Sequence, residues 1–233
     1  MSDNINKFIK DELLCHGADL VGFGDLTELP PELRENLPVG ICVAVKYPKE
    51  IIRGISELPT AEYHDRYNFI NKKLDMLAEL GASALEMFGY KAIAQTREYV
   101  WQQTGENQIA LLPHKTVATR AGMGWIGKCA LLVTKEFGSM IRISSILTDA
   151  PLKTAKPINK SKCGNCTECT DYCPANAVSG KLWTAKLARD EFFNAAACEQ
   201  TARERSFKGL GTEITICGKC IEVCPYTKMY LDS

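Results

Sequence analysis

Hydrophobic residues recur every three or four positions in two stretches of this chain. The first stretch, from Ile5 to Leu13, predicts an amphipathic helix over residues 3–16. The second stretch, from Tyr63 to Phe88, predicts a much longer helix. Both patterns have the 3.6-residue period of a helix that turns one apolar face toward a core.

Short apolar runs bounded by glycine or proline predict buried strands in other parts of the chain. We expect two of these strands, at 131–134 and 140–147, to form a hairpin across residues 136–139. Between the strands, a polar loop is predicted over 102–107 and a linker over 151–158, and a further helix is predicted over 183–195. The predicted strands cover residues 19–24, 40–47, 91–96, 131–134 and 140–147.

Residues 114–127 differ in character from the segments around them. They read HKTVATRAGMGWIG, so that Gly122, Gly124 and Gly127 lie close together with Trp125 among them. Glycine lets the backbone bend and approach a ligand closely where a Cβ would obstruct it. We therefore interpret this segment as the best candidate for a cofactor-binding loop.

The spacing of the cysteines is the most specific chemical signal. Residues 163–174 have the C-x2-C-x2-C-x3-C-P spacing of two-cluster bacterial ferredoxins, in which three thiolates hold one 4Fe-4S cube and the fourth reaches the other. Residues 217–225 repeat the ending, with Cys198 as a detached first ligand. Crosswise pairing predicts a first cysteine set of Cys163, Cys166, Cys169 and Cys224, and a second cysteine set of Cys173, Cys198, Cys217 and Cys220.

A zinc site and a disulfide framework are the alternatives to this interpretation. Zinc ribbons use paired C-x2-C knuckles and stop at four ligands per ion, whereas this chain has additional C-x2-C and C-x3-C-P spacings. Disulfides are typical of secreted proteins, and the polar N-terminus MSDNINK does not resemble a signal peptide.

Composition narrows the class of protein further. Lysine plus arginine equals aspartate plus glutamate at 28 each, so no overall charge favours nucleic acid or an anionic membrane as a partner. No apolar run approaches the length of a membrane span, and we expect a cytoplasmic protein with no membrane partner. The remaining cysteines, Cys15, Cys42 and Cys129, are expected to be buried as small hydrophobic residues.

The order of a glycine loop, a strand pair and a C-terminal two-cluster module resembles the epoxyqueuosine reductase family and its relatives, the corrinoid reductive dehalogenases. The resemblance rests on GADLVG at 17–22, Tyr63 with His64, AGMGWIGK at 121–128, and the cluster cysteines including Cys198. It implies an α+β protein with two domains. A nitroreductase-like α/β sandwich is expected over residues 1–155, and a ferredoxin-like double 4Fe-4S module over 156–233.

The resemblance also implies a mechanism, in which electrons pass through the two clusters to a cobalamin that reduces an unidentified small substrate. In this interpretation the three glycines give room for the corrin edge, and Trp125 packs against it. Arg120 and Lys128 are expected to bind polar or anionic groups of cofactor or substrate. Tyr63 and His114 are the candidate catalytic residues for proton supply.

Partners follow from the same resemblance. An external electron donor such as ferredoxin or flavodoxin is expected, with a small-molecule substrate. We do not expect tRNA as the substrate, because the family carries a C-terminal helical-repeat region where this chain ends at Ser233, and Gln108 stands at the ungapped position of the family's acidic residue.

Two other functions remain open at this point. A flavin-dependent reductase would hold FMN, and we would then expect a homodimer whose interface builds the site. A dicluster electron carrier would have no substrate of its own. About 55–60 residues suffice to wrap two cubes, so the long N-terminal segment favours a cofactor-bearing reductase.

Overall fold

The computed structural model describes residues 2–104 and 111–233. Within these residues helices and strands are mixed along the chain. The helices are α1 (Ser2–Cys15), α2 (Lys49–Arg53), α3 (Ala61–Met87), α4 (Arg97–Thr104), α5 (His114–Arg120), α6 (Glu168–Asp171), α7 (Ala195–Leu210), α8 (Lys219–Glu222) and α9 (Pro225–Leu231). The strands are β1 (Leu20–Asp25), β2 (Val39–Lys46), β3 (Ala92–Ala94), β4 (Trp125–Ile126), β5 (Leu132–Val133) and β6 (Ile141–Thr148).

The two helices predicted from hydrophobic period are confirmed as α1 and α3. In α1, Ile5, Ile9 and Leu13 are buried at intervals of four residues, which places them on one face of the helix. The chain leaves α1 through Gly17, whose φ of 93° is in the left-handed region that ends helices.

A four-stranded sheet with the order β1-β2-β6-β3 confirms the strands predicted near residues 19–24, 40–47 and 91–96. The pairs β1–β2 and β3–β6 are antiparallel. In β2, every residue from Val39 to Val45 is buried, as expected for a continuous apolar run in a central strand.

The predicted hairpin between residues 131–134 and 140–147 is wrong. Strand β5 pairs with β4, with Trp125 opposite Val133, and β6 pairs with β3 in the larger sheet. The β4–β5 pairing is close because Gly124 has no side chain. A Cβ there would lie 2.2 Å from the carbonyl oxygen of Val133, so glycine is required by the pairing itself.

The helix predicted over 183–195 is also wrong, since α7 begins at Ala195. Asn194 sets this start, because its side-chain oxygen accepts a hydrogen bond from the N–H of Ala197.

Of the predicted loop at 102–107, residues 102–104 belong to α4. Its remainder and Gln108 lie outside the described residues.

The described residues form two compact units. Unit 1 comprises the described residues within Met1–Val45, Ile70–Met123 and Arg142–Ile158. Unit 2 comprises the described residues within Lys46–Phe69, Gly124–Ile141 and Asn159–Ser233. Two earlier segments, 46–69 and 124–141, thus group with the cysteine-rich residues in unit 2. The predicted domain boundary at 155/156 stays a prediction. The predicted linker belongs to unit 1, where the N–H of Ala155 donates to the carbonyl of Phe23 at 2.9 Å.

No helix within residues 2–104 and 111–233 combines the length and the apolar character needed to cross a membrane.

Gly138, in unit 2, lies in a tight turn that contacts the start of α9. Its φ is 57°, and an added Cβ would lie 2.3 Å from the backbone nitrogen of Thr227. Gly211, at the C-terminal end of α7, has a φ of 70° and no heavy atom within 4 Å of such a Cβ. The two glycines therefore share a backbone conformation and differ in what surrounds them.

We predict that Gly138→Ala lowers the free energy of unfolding by more than about 2 kcal/mol, because it adds a backbone clash to the cost of a left-handed alanine. Gly211→Ala should cost only about 1 kcal/mol, from conformation alone. Urea unfolding of the two variants beside the parent protein measures the difference. Equal losses would show that the approach to Thr227 does not stabilise this unit.

Candidate iron-sulfur centre

A cavity of about 110 Å³ in unit 2 is lined by six cysteines. This volume has room for several water-sized groups. Four of the six are the complete first cysteine set, a fifth is Cys220 of the second set, and the sixth is Cys129. The structure therefore brings Cys163 and Cys224 to one cavity, although they are 61 positions apart in the sequence.

Local structure positions the first cysteine set. Cys163 and Cys166 lie on a turn closed by a 3.1 Å hydrogen bond from the N–H of Cys166 to the carbonyl of Cys163. Cys169 lies in α6, and Cys224 is the residue that precedes α9. Pro225 occupies the first position of α9, where its missing N–H costs nothing.

The Cys224 thiol receives several hydrogen bonds. Burial raises its pKa, while the backbone N–H groups of Thr227 and Tyr226 and the hydroxyl of Ser139 oppose that rise by hydrogen bonding to the sulfur. Hydrogen bonds of this kind stabilise a thiolate over a thiol. Ser139 lies far from every predicted ligand in the sequence and is buried, and no spacing in the sequence indicated its role.

Three cysteines of the second set are close enough in unit 2 to influence one another. Burial raises the pKa of Cys198, in the first turn of α7, and the neighbouring thiols of Cys217 and Cys173 raise it further. The N–H of Ala177 lies 3.3 Å from the sulfur of Cys173. The detached cysteine therefore lies beside the two residues with which the sequence pattern grouped it.

These donors fit iron-sulfur cubes in their chemistry, since each cube takes four cysteine thiolates. All eight predicted ligands are partly exposed and none is in a disulfide. Among the described residues, no three His, Cys, Asp or Glu side chains converge on a point where one metal ion would bind. The four ligands of a cube bind four separate irons, so they need not converge in that way. The assignment of each ligand stays a prediction.

Lys128 contributes a buried cation to the same cavity. Its Nζ donates a 2.7 Å hydrogen bond to the carbonyl oxygen of Cys166, and the residue is only 5% exposed. The predicted contact of Lys128 with a polar or anionic group of cofactor or substrate stays a prediction. In the structure, Lys128 fixes the backbone between Cys163 and Cys169 and places a positive charge beside the first cysteine set.

Cys129 and Cys15 differ in their surroundings. Cys129 is buried, as expected, and it lines the same cavity as Cys169 and Cys220. It is therefore part of the cysteine cluster. The prediction that Cys15 is buried is wrong, because Cys15 is exposed near the end of α1, while Cys42 is buried in β2 as predicted.

Trp125 is almost fully buried in unit 2. Its ring packs edge-to-face against Tyr226, a cavity residue, with centroids 4.8 Å apart. The indole Nε1 is buried without a hydrogen-bond partner among the described residues. Buried indole N–H groups usually find an acceptor, so this unpaired donor is unusual.

The other glycine-loop residues contact protein groups. In unit 1, Arg120 donates to the carbonyl of Asp25 at 2.9 Å and pairs with Glu28 at 2.7 Å. A Cβ on Gly122 would lie 2.9 Å from the carbonyl oxygen of Lys156, and one on Gly127, in unit 2, would lie 3.0 Å from Val133. Residues 114–120 form α5 instead of a loop. The cofactor roles of these residues stay predictions.

The two candidate catalytic residues lie in different units. Tyr63, in unit 2, is buried with its ring 5.3 Å from that of Tyr47. A Cβ on Gly218 would lie 3.4 Å from the Tyr63 ring, so Tyr63 packs beside the loop that carries Cys217 and Cys220.

His114, in unit 1, has a hydrogen-bonded ring. Its Nδ1 lies 2.8 Å from the hydroxyl of Ser145, which itself donates to Gln95. Because the single hydroxyl proton goes to Gln95, the hydrogen-bond network assigns the ring proton to Nδ1. Burial, with Arg142 nearby, lowers the pKa of His114 to about 4. At neutral pH the ring is neutral and its one proton is committed, which does not favour proton delivery by His114.

Comparisons with known proteins agree with the cysteine pattern. Residues 162–227 match the 4Fe-4S double cluster binding domain family, and this range contains all eight predicted ligands. The epoxyqueuosine reductase of Lactococcus garvieae is 30% identical over 166 residues, which is 70% of this chain and 42% of that protein. The predicted resemblance is confirmed, and the chain spans less than half the length of this curated relative.

Solved structures show the fold. A crystal structure of epoxyqueuosine reductase with an epoxyqueuosine-modified tRNA-Tyr stem loop matches with a TM-score of 0.63 at 19% identity, covering 98% of this chain and 66% of that one. A reductive dehalogenase whose structure suggests a mechanism for B12-dependent dehalogenation matches with a TM-score of 0.68 at 19% identity, covering 93% and 31%. The chain therefore has the mixed helix-and-strand fold of these proteins. The nitroreductase-like and ferredoxin-like descriptions of its parts stay predictions.

We predict that Lys128→Met makes iron bound at the first cysteine set more labile, because it removes the bond to Cys166 and leaves a buried carbonyl without its partner. The rate of iron release from reconstituted protein to a ferrous chelator should rise roughly tenfold, as expected for loss of a hydrogen bond to a charged group. Lys160→Met, at an exposed position of unit 2, is the control. Equal rates in the two variants would contradict a role for Lys128 in holding this loop.

A second prediction concerns the pH dependence of stability. Unfolded His114 takes up a proton near its usual pKa of 6.5, whereas the folded protein resists protonation until about pH 4. The free energy of unfolding should therefore fall as the pH drops from about 6.5 to about 4, by up to about 3 kcal/mol. Below this window the loss is complete.

Urea unfolding of the parent and of His114→Asn at several pH values measures this contribution. Asparagine keeps a donor for Ser145 but does not titrate, so the fall should be smaller in the variant. His16→Asn, at an exposed position near the end of α1, is the control for replacing a histidine with asparagine. Parallel profiles for the parent and His114→Asn would contradict the lowered pKa.

Proposed function

We propose that this chain is an iron-sulfur oxidoreductase similar to epoxyqueuosine reductases, which passes electrons through two 4Fe-4S clusters to a cobalamin for the reduction of a small substrate. The observation that carries the proposal is the cavity in unit 2 that is lined by all four cysteines of the first set, together with Cys220 of the second. Similarity to epoxyqueuosine reductases over 70% of the chain supports the same class of function.

The chain's own residues would do three things for the clusters. Cys163, Cys166, Cys169 and Cys224 would hold one cluster, and the second cysteine set the other. Lys128 fixes the loop between Cys163 and Cys169. Ser139 and the first N–H groups of α9 donate hydrogen bonds to the Cys224 sulfur. Donors at the sulfurs are one of the means by which proteins set cluster potentials.

In the proposed reaction, an external donor such as a ferredoxin or flavodoxin loses the two electrons that the substrate gains. Protons for the product come from solvent or from a side chain near the substrate. When bound, the clusters supply one-electron transfer and cobalamin supplies a cobalt centre for the reductive step. The residues of the chain bind and orient these groups.

Cobalamin is proposed from the similarity to a reductive dehalogenase whose structure is described as suggesting a mechanism for B12-dependent dehalogenation. The contacts of Arg120, Gly122, Gly124 and Gly127 to protein groups favour the dicluster electron carrier as the second candidate, since they leave these residues fewer free contacts for a corrin.

An anaerobic titration of reconstituted protein with hydroxocobalamin tests the proposal. Stoichiometric cobalamin that comigrates in gel filtration with about eight irons per chain, the content of two cubes, would support it. Eight irons without bound corrinoid would overturn the cobalamin step and support the electron carrier. Binding of FMN in place of cobalamin would support the flavin-dependent alternative.

A further inference from the structure

Cys129 lies in a tight turn between β4 and β5. The turn is closed by hydrogen bonds from Gly127 N–H to Leu131 at 2.8 Å and from Ala130 N–H to Gly127 at 2.9 Å. Ala130 has a φ of 60°, in the left-handed region that costs an alanine about 1–2 kcal/mol. Such strain persists only where the surroundings enforce it, and it is common at functional sites. Here the turn directs both Lys128 and Cys129 into the cavity.

Two predicted cluster ligands from different sets line the cavity together with Cys129. One is Cys169 of the first cysteine set, and the other is Cys220 of the second. Cys129 therefore lies where the two sets meet. A buried cysteine that served only as a small hydrophobic residue would not be expected to line a cavity with ligands of both sets.

We propose that Cys129 is a non-ligand thiol between the two clusters, whose S–H group donates to a ligand sulfur and raises the reduction potential of the cluster that it contacts. This inference rests on the proposed function, because it requires both cysteine sets to hold clusters. Each cube already has four cysteines, so no ligand position is left for a ninth. Thiolates bound to iron carry no proton, and only Cys129 can donate in these contacts.

The expected direction follows from charge. Reduction adds an electron to a cluster and makes its sulfurs more negative, so a hydrogen-bond donor stabilises the reduced form more than the oxidised form. Hydrogen bonds to the sulfurs are among the features that set cluster potentials. Removing the donor should therefore lower the potential, without removing iron.

An anaerobic potentiometric titration monitored by EPR tests this role in reconstituted full-length protein. Cys129→Ala and Cys129→Val both lose the donor, and valine also fills the volume. We expect about eight irons in each, as in two cubes. At the parent's midpoint, the ratio of reduced to oxidised cluster should fall about twofold to tenfold, the effect of one hydrogen bond. Cys129→Ser keeps a donor and should lie closer to the parent.

Cys42→Ala is the matched control, because Cys42 is fully buried in β2 of unit 1 and should leave both potentials unchanged. Unchanged potentials in both Cys129→Ala and Cys129→Val would overturn the inference. Loss of about four irons in either variant would also overturn it, by making Cys129 a ligand of one cube. A parent protein that assembles no clusters would instead refute the proposed function, which the iron count distinguishes from failure of the Cys129 role alone.

Discussion

The structure of unit 2 depends on bringing sulfur atoms from distant segments of the chain to common positions. Cys224 must lie beside a turn that begins at Cys163, and Cys173 must lie beside Cys198 and Cys217. Neither arrangement can form from local structure, because each crosswise set takes one member from the other half of the pattern. The positions of the sulfurs therefore constrain the path of the backbone. The helices in this region are short, since α6 and α8 each have only four residues.

Much of the remaining sequence in unit 2 supports this arrangement. The turn at Gly138 packs against Thr227, which fixes the start of α9 and with it the position of Cys224. The β4–β5 turn carries Lys128 and Cys129 into the cavity. The glycine-rich segment, which the sequence favoured as a cofactor loop, is therefore also a support for the cysteine cluster. Close approach of two backbones explains Gly124 in full, since Val133 occupies the place of its side chain.

Features with a strong period or a fixed spacing were predictable from the sequence. The helices α1 and α3 and the strand β2 each bury a regular apolar pattern, and the cysteines follow a spacing that few other sites use. Strand partners were not predictable, because β5 is only two residues long and nothing local favours β6 over β4 as its partner. The start of α7 depended on one side-chain bond from Asn194, which outweighed the apolar residues preceding it. Ser139 and Cys129 acquire their roles only through tertiary contact, which sequence spacing does not contain.

The surroundings of the two cysteine sets are unequal, and this inequality bears on which set favours an added electron. The first set has the Lys128 ammonium group at its loop and three donors at the Cys224 sulfur. Near Cys198 in the second set, the positive charge of Arg189 is opposed by the negative charge of Glu199. Positive charge and hydrogen-bond donors both stabilise a reduced cluster. If both sets held clusters, the first set would therefore provide more of the groups that favour an added electron, and Cys129 would lie beside ligands of both sets.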